Sequence, residues 1–443
     1  MNGAAARERF LDRAAALNER FHCFVTLTPD EVSTGVGPLA GVPMAVKDCI
    51  PVRGVACTWG SALFRDRIAE RDAPVVAQLR DAGVRIVGTA NLHELAFGGT
   101  TQNPWYGNCR NAWNPERVPG GSSGGSAVAV ALGLATLGVG TDTGCSVRLP
   151  ASLNGLLGLR PTHGAISNRD IMPVSPPHDT VGFIAADPET IRLAFTATCR
   201  HDPADPFSRS ASTFARPGRI RLGIASALLE ETEPDIRDSF ERAVEKLEGQ
   251  GCSVQPVAEP ALLEAALHIA PLAMADMAEF HRQRLAHDAA RIGSAIHQRA
   301  ARGLAMPATE YAGHLRWREA NGVVINRLFE TVDAILSPTV PVTAPTLAEA
   351  ADAVGSTALL SRNCWAAPAA GIPALTVPCG RDRHGIPIGL QLMGRAWSEH
   401  FLLDLAGLFL GPAGRARCRT SPEWRFRVPS VASRQQRRDR RRR

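Results

Sequence analysis

Between Gly121 and Ser146 the chain reads GSSGGSAVAVALGLATLGVGTDTGCS, a serine pair among glycines and then a lone serine after Thr-Asp-Thr-Gly-Cys. Residues of these types can cradle phosphate, form a flexible linker, or present an activated hydroxyl. Phosphate binding is disfavoured, because a Walker loop needs lysine directly before Ser/Thr and no G-x-G-x-x-G is present. A linker does not fit either, since apolar runs of buried type follow at once. GGSSGG also matches the nucleophile elbow G-x-S-x-G, on Ser122 and again on Ser123. That elbow must follow an apolar strand, whereas the preceding NAWNPERVP is polar and broken by two prolines. Later histidines such as His163 and His178 fit the required acid-then-histidine order poorly. The elbow is rejected.

Lysine usage supplies a second clue. The chain has two lysines, Lys47 and Lys246, against 47 arginines. Lys246 sits in the charged stretch ERAVEKLEGQ and needs no special explanation. Lys47 lies in GVPMAVKDCIPV, among strand-forming apolar residues that predict burial. Burial lowers a lysine's pKa, and a neutral amine can accept a proton where arginine cannot. The alternative is a structural lysine paired with Asp48 or another carboxylate.

The elements that must position these residues alternate between helix and strand. RERFLDRAAALNERF reads as an amphipathic helix, PMAVKDCIPV as a strand, and DAPVVAQLRDAG as a helix stopped by Gly83 before the strand VRIVGTAN. Ala127 to Leu134 reads as a helix of small residues leading into the buried run TLGVGTD. RIRLGIAS, CSVQPVA, VDAILSP, IPALTVPCG and IPIGLQLMG read as strands. DIRDSFERAVEKLEGQG and SEHFLLDLAGLFL read as helices, and residues 260–330 as mostly helical. Alternation of this kind predicts an α/β layered architecture.

Composition bounds the function classes. The net charge of +6 is misleading, because RQQRRDRRRR at Arg434 to Arg443 carries seven arginines and one aspartate. The body is therefore near neutral, which argues against nucleic acid as a partner, and the tail reads as a solvated, disordered end. Ten cysteines are scattered singly, without C-x-x-C, and neither H-E-x-x-H nor a Cys/His cluster appears, so no metal or other cofactor is expected. With no signal-type N-terminus and no run near 18 apolar residues, a cytoplasmic location without membrane contact is expected.

The block Val118 to Gly164, VPGGSSGGSAVAVALGLATLGVGTDTGCSVRLPASLNGLLGLRPTHG, resembles the signature of the amidase signature hydrolases. GVPMAVKDCIPVRGVACTWGS, ILSPTVPVTAPTL and GIPALTVPCGRDRHGIPIGLQLMGR extend the resemblance from roughly Leu39 to Ala406. The resemblance implies a mixed central β-sheet covered by helices on both faces, in a single domain over 1–425 with a helical insert at about 260–330 shaping the substrate site. A basic tail, 426–443, would follow.

The resemblance also implies a Ser–Ser–Lys triad: Ser146 as nucleophile, Ser122 as a bridging serine on a cis peptide, and Lys47 as base. Backbone N–H groups of Thr143, Gly144, Cys145 and Ser146 become the expected oxyanion hole, worth roughly 3 kcal/mol per aligned donor. Asp142 and Arg148 are expected as a buried pair behind that turn. Ser123 either helps hold the loop or is an ordinary loop serine. Cys145 stands where the family usually has glycine, so a positive φ there would be strained; it is either a small buried filler or a reactive thiol.

The implied reaction is hydrolysis of a linear amide through an acyl-enzyme, releasing ammonia or an amine and a carboxylate. Phe97, Trp105 and Trp365 are expected near the substrate, which is a small-molecule amide of unspecified identity. One branch of the family serves as the glutaminase component of a tRNA-dependent amidotransferase. The segment APTLAEAADAVGSTALLSRNCWAAPAAGIPA lacks that branch's Asp-Pro and Met-Tyr-Leu elements. A free-standing hydrolase, alone or as a homodimer, is therefore expected over a partner-dependent component.

Overall fold

The computed structural model describes residues 3–28 and 35–417. The Arg-rich segment singled out in the sequence lies outside the described residues. Eleven strands form one mixed sheet: β1 (Phe24–Leu27), β2 (Pro43–Lys47), β3 (Arg85–Ala90), β4 (Leu137–Asp142), β5 (Leu157–Arg160), β6 (Thr180–Ala185), β7 (Arg221–Ala225), β8 (Ser253–Val257), β9 (Ala334–Pro338), β10 (Ala374–Arg381) and β11 (Pro387–Gly394). Their spatial order is β1-β3-β2-β4-β6-β5-β10-β11-β9-β7-β8. Two parallel groups, β3-β2-β4 and β9-β7-β8, flank a centre in which β4 through β9 pair antiparallel.

Strand alternation explains why helices cover both faces. Side chains at i and i+2 share a face. On β2, Met44 and Val46 enter the core shared with Leu79, Ile191 and Phe183, under the helices Pro74–Asp81 and Pro188–Thr198. Ala45 points the other way, into the core built on Ala127, Val128 and Phe21 beneath the helices Gly124–Ala131 and Gly3–Phe21. The mixed α/β sheet expected from the sequence is thus present.

One expectation needs correction. The helix read at Ala127 to Leu134 begins three residues earlier and spans Gly124–Ala131. The helix Ala261–Phe280 has 20 residues and a mean hydropathy of 1.4 over its best window. Its apolar residues are interleaved with Glu264, His268 and Asp276, which hides them from a search for an unbroken run. Leu262, Ile269, Leu272 and Met277 are buried against the rest of the protein, where the helices Ser294–Ala305 and Ala308–Arg327 pack on it.

Candidate active site

The parallel pairing of β2 with β4 sets Met44 beside Leu137 and Val46 beside Val139. Both strands therefore end on one edge of the sheet, and crevices outside the carboxyl ends of parallel strands are where α/β proteins place their sites. Lys47 is the last residue of β2, Asp142 the last of β4, and the turn Thr143–Ser146 follows directly. The helix Gly124–Ala131 packs across these strands and brings Ser122 and Ser123, just before it, to the same edge.

Lys47 is fully buried. Its Nζ donates to Ser122 Oγ at 2.7 Å and to Thr141 Oγ1 at 2.8 Å. Among the described residues no carboxylate pairs with it. Asp48, the partner that a structural lysine would have used, instead accepts from the Thr58 hydroxyl and from the Thr58 N–H at 3.1 Å. Burial pushes the Lys47 pKa below the ordinary lysine value, and the opposing pull of Cys49, Asp142 and Asp179 does not restore it. The neutral amine has a lone pair, so the same 2.7 Å contact serves with Ser122 as donor.

Ser122 follows a cis peptide bond, Gly121–Ser122. The Ser123 N–H donates to the Ser146 carbonyl at 3.1 Å, and Ser123 Oγ donates to the Thr141 carbonyl at 3.3 Å. Ser123 therefore ties the serine loop both to the turn and to β4. The Oγ atoms of Ser122 and Ser146 are not hydrogen-bonded to each other here; such contacts often tighten only around substrate.

The backbone N–H groups of Thr143, Gly144, Cys145 and Ser146 reach no protein acceptor among the described residues, although all four residues are buried. Buried N–H groups are almost always paired. Four consecutive free donors ahead of a serine are suited to receiving an oxyanion. The turn is held from behind. Asp142 Oδ2 accepts from Val147 N–H at 3.1 Å and Arg148 Nε at 3.1 Å, and Oδ1 accepts from Arg148 Nη2 at 2.9 Å. Arg148 Nη2 also donates to the Gly144 carbonyl at 2.5 Å. Arg160, at the end of β5, adds a second cation at 3.3 Å from Asp142 Oδ1.

Burial alone would raise the Asp142 pKa, but Arg148 and Arg160 hold it down to about 2. A carboxylate held below its ordinary 3.8 contributes stability above that pH, which is lost as pH falls through about 2. Asp142→Ala leaves two buried arginines without their counter-ion, and the expected cost is about 3–5 kcal/mol. Equilibrium denaturant unfolding checks this, and a cost under about 1 kcal/mol, the scale of an exposed pair, would contradict it.

Cys145 does not have a positive φ, so the backbone there is unstrained. Its side chain is buried with Val118, Leu149 and Cys364, and burial pushes the thiol pKa well above its ordinary value. A thiol held protonated is a poor nucleophile. Cys145→Ala is accordingly expected to keep amide-hydrolysing activity within about threefold, as a substitution that touches no reacting group does. Steady-state kinetics check this, and a hundredfold loss would contradict it.

A cavity of about 230 Å³ begins at Thr141 and Thr143 and extends between residues 168–176 and 204–207. Met172, Val174 and Phe207 supply much of its apolar wall. Phe97, Trp105 and Trp365 do not line it. Trp365 packs against the turn itself: a Cβ on Gly144 would lie 2.4 Å from its ring, so only glycine fits there. Phe97 stacks beneath Arg299, whose Nη1 donates to the Phe97 carbonyl at 2.6 Å. Trp105 Nε1 donates to Glu94 Oε1 at 2.7 Å. The helices within 260–330 contribute none of the lining, but Arg299 and Asp276 hold its neighbours Phe97 and Ser175.

Sequence reasoning missed three residues that the site uses: Thr141, Arg160 and Asp179. Thr141 was visible in GTDTGCS, two residues before Thr143 at the period of a strand. Arg160 ends β5 and Asp179 lies just before β6, and nothing local marks them.

The amidase family model matches residues 5–403. The chain belongs to the amidase family. The A subunit of glutamyl-tRNA(Gln) amidotransferase from Methanospirillum hungatei JF-1 is 33% identical over 425 residues, covering 88% of this chain and 96% of that protein. The solved structure of the corresponding A subunit from Thermotoga maritima matches with a TM-score of 0.81 at 27% identity, over 96% of this chain and 94% of its own. Kluyveromyces lactis allophanate hydrolase matches with a TM-score of 0.81 at 29% identity, over 89% of this chain and 67% of its own. As a family member the chain is an enzyme that cleaves amide C–N bonds.

Proposed function

We propose that the chain hydrolyses a linear amide by a serine acyl-enzyme route. In the first half-reaction Ser146 Oγ attacks the amide carbonyl carbon while its proton passes to Ser122 and the Ser122 proton passes to neutral Lys47. The carbonyl oxygen becomes an oxyanion in front of the N–H groups of Thr143 to Ser146. Collapse of the tetrahedral intermediate breaks the C–N bond, and the proton returns from Lys47 through Ser122 to the leaving nitrogen. Water, activated by the same relay, then attacks the ester, frees the carboxylate and restores Ser146. The observation that carries this reading is the buried Lys47 amine bonded to two hydroxyls and to no carboxylate among the described residues.

A second reading is that the chain is the glutaminase-type component of a complex and requires partners. It is favoured by the relatives that are A subunits of an amidotransferase. The two readings separate on one assay, ammonia or amine release by the purified chain from primary, aryl and acyl amides. Release without any added protein supports the free-standing hydrolase. Silence on every amide, with ammonia appearing from glutamine only when a partner protein is added, supports the second reading.

A further inference from the structure

Asp179 lies one residue before β6 and is used by nothing in the relay. Its Oδ1 accepts from the Thr143 hydroxyl at 2.6 Å, its Oδ2 from Val174 N–H at 2.9 Å, and both oxygens from Ser175 N–H, at 3.2 and 3.0 Å. Thr143 heads the turn with the free N–H groups, and Val174 belongs to the wall of the cavity beside it. One carboxylate thus joins the turn to the wall of the cavity beside it.

We propose that Asp179 is a positioning residue of the amidase reaction, clamping Thr143 and the 174–175 wall into one rigid unit so that the turn's donors stay aimed at the reacting carbonyl. The proposal rests on the reading of Ser146 as nucleophile and Thr143–Ser146 as oxyanion turn. Donors misplaced by a fraction of an ångström lose much of their effect on the transition state. A clamp on the turn should therefore act on kcat more than on KM.

A second consequence separates this role from simple loop support. Asp179 and Asp142 from β4 are the carboxylates that favour the Lys47 ammonium, and the Cys49 and Cys145 thiols, whose pKa values burial raises, face it as well. Arg160 from β5 faces Asp179 and opposes it. Burial raises the Asp179 pKa to about 6, and above that pH the group carries its negative charge. Removing that negative charge destabilises the Lys47 ammonium, and the limb on which activity rises with pH moves to lower pH.

The test uses Asp179→Asn and Thr143→Val, with hydrolysis, the fluorophosphonate labelling rate of Ser146 and thermal melting followed on each full-length protein. Asparagine keeps the shape of Asp179 and can hold its oxygen on the Val174 and Ser175 N–H groups with its N–H₂ toward the Thr143 hydroxyl, but every contact of the clamp loses its charge assistance. The expected result is a ten- to hundredfold loss of kcat with KM within threefold, and a limb displaced to lower pH. Thr143→Val, which removes only the hydroxyl contact to Asp179, should lose a similar share of kcat without displacing the limb. An Asp179→Asn protein with unchanged kcat and limb would overturn the proposal, as would a loss confined to KM. If Asp179→Asn fails to fold, Thr143→Val at wild-type kcat would overturn it alone. A wild-type chain that neither hydrolyses amides nor labels would instead overturn the functional reading beneath it.

Discussion

Lys47→Arg is expected to lose on the order of 10²–10⁴ in kcat/KM, nearly as much as Lys47→Ala, because the loss is that of a general base. Arginine retains the charge and approximate reach of lysine, yet cannot shed its proton in the accessible pH range. In the fold, the Lys47 amine touches two hydroxyls and is shifted downward by burial, so its neutral form is the one the site favours. Activity of the native chain should rise with pH through the Lys47 pKa, on a limb below the ordinary lysine value. If Lys47 were a structural cation, arginine would preserve much of the function. Steady-state kinetics on the two variants, with melting curves to show that both are folded, decide between these outcomes.

Ser146→Ala is expected to remove acyl-enzyme formation altogether, leaving at most the residual 10³–10⁴-fold advantage over water that binding and oxyanion stabilisation supply without a nucleophile. Its neighbours are poor substitutes. The Cys145 thiol is buried and held protonated, and Ser122 is fully buried. Ser122→Ala should also be impaired, but by less if a water takes the place of the hydroxyl in the relay. Rapid-quench measurement of the first turnover reads this difference. A burst retained in Ser146→Ala would place the nucleophile elsewhere.

How much of this was legible depended on whether the relevant physics was local. Lys47 stood out because apolar strand residues surround it and arginine is the default cation in this chain. The strand that carries Asp142 was visible as the buried run TLGVGTD. The helix ahead of it starts before its apolar run, on Gly124 and Gly125. They are helical, and a Cβ at Gly125 would lie 2.4 Å from the carbonyls of Asn91 and Cys23. β5, the four residues LGLR, is too short for a periodic signal, and so the second cation on Asp142 was missed with it. The large aromatic residues expected at the substrate were chosen by type. Their positions are set by distant partners, Glu94 for Trp105, Gly144 for Trp365 and Arg299 for Phe97, none of which local sequence discloses. Most of the residues that do line the cavity come from irregular loops, whose shape follows from the packing of other elements.

Labelling by a fluorophosphonate, followed by peptide mapping across a pH series, tests the central claim most directly. A single adduct on Ser146 is expected, formed faster as pH rises through the Lys47 limb, and scarcely formed in folded Lys47→Arg. An adduct on Cys145 or Ser122, or a Lys47→Arg protein labelled at the native rate, would contradict it.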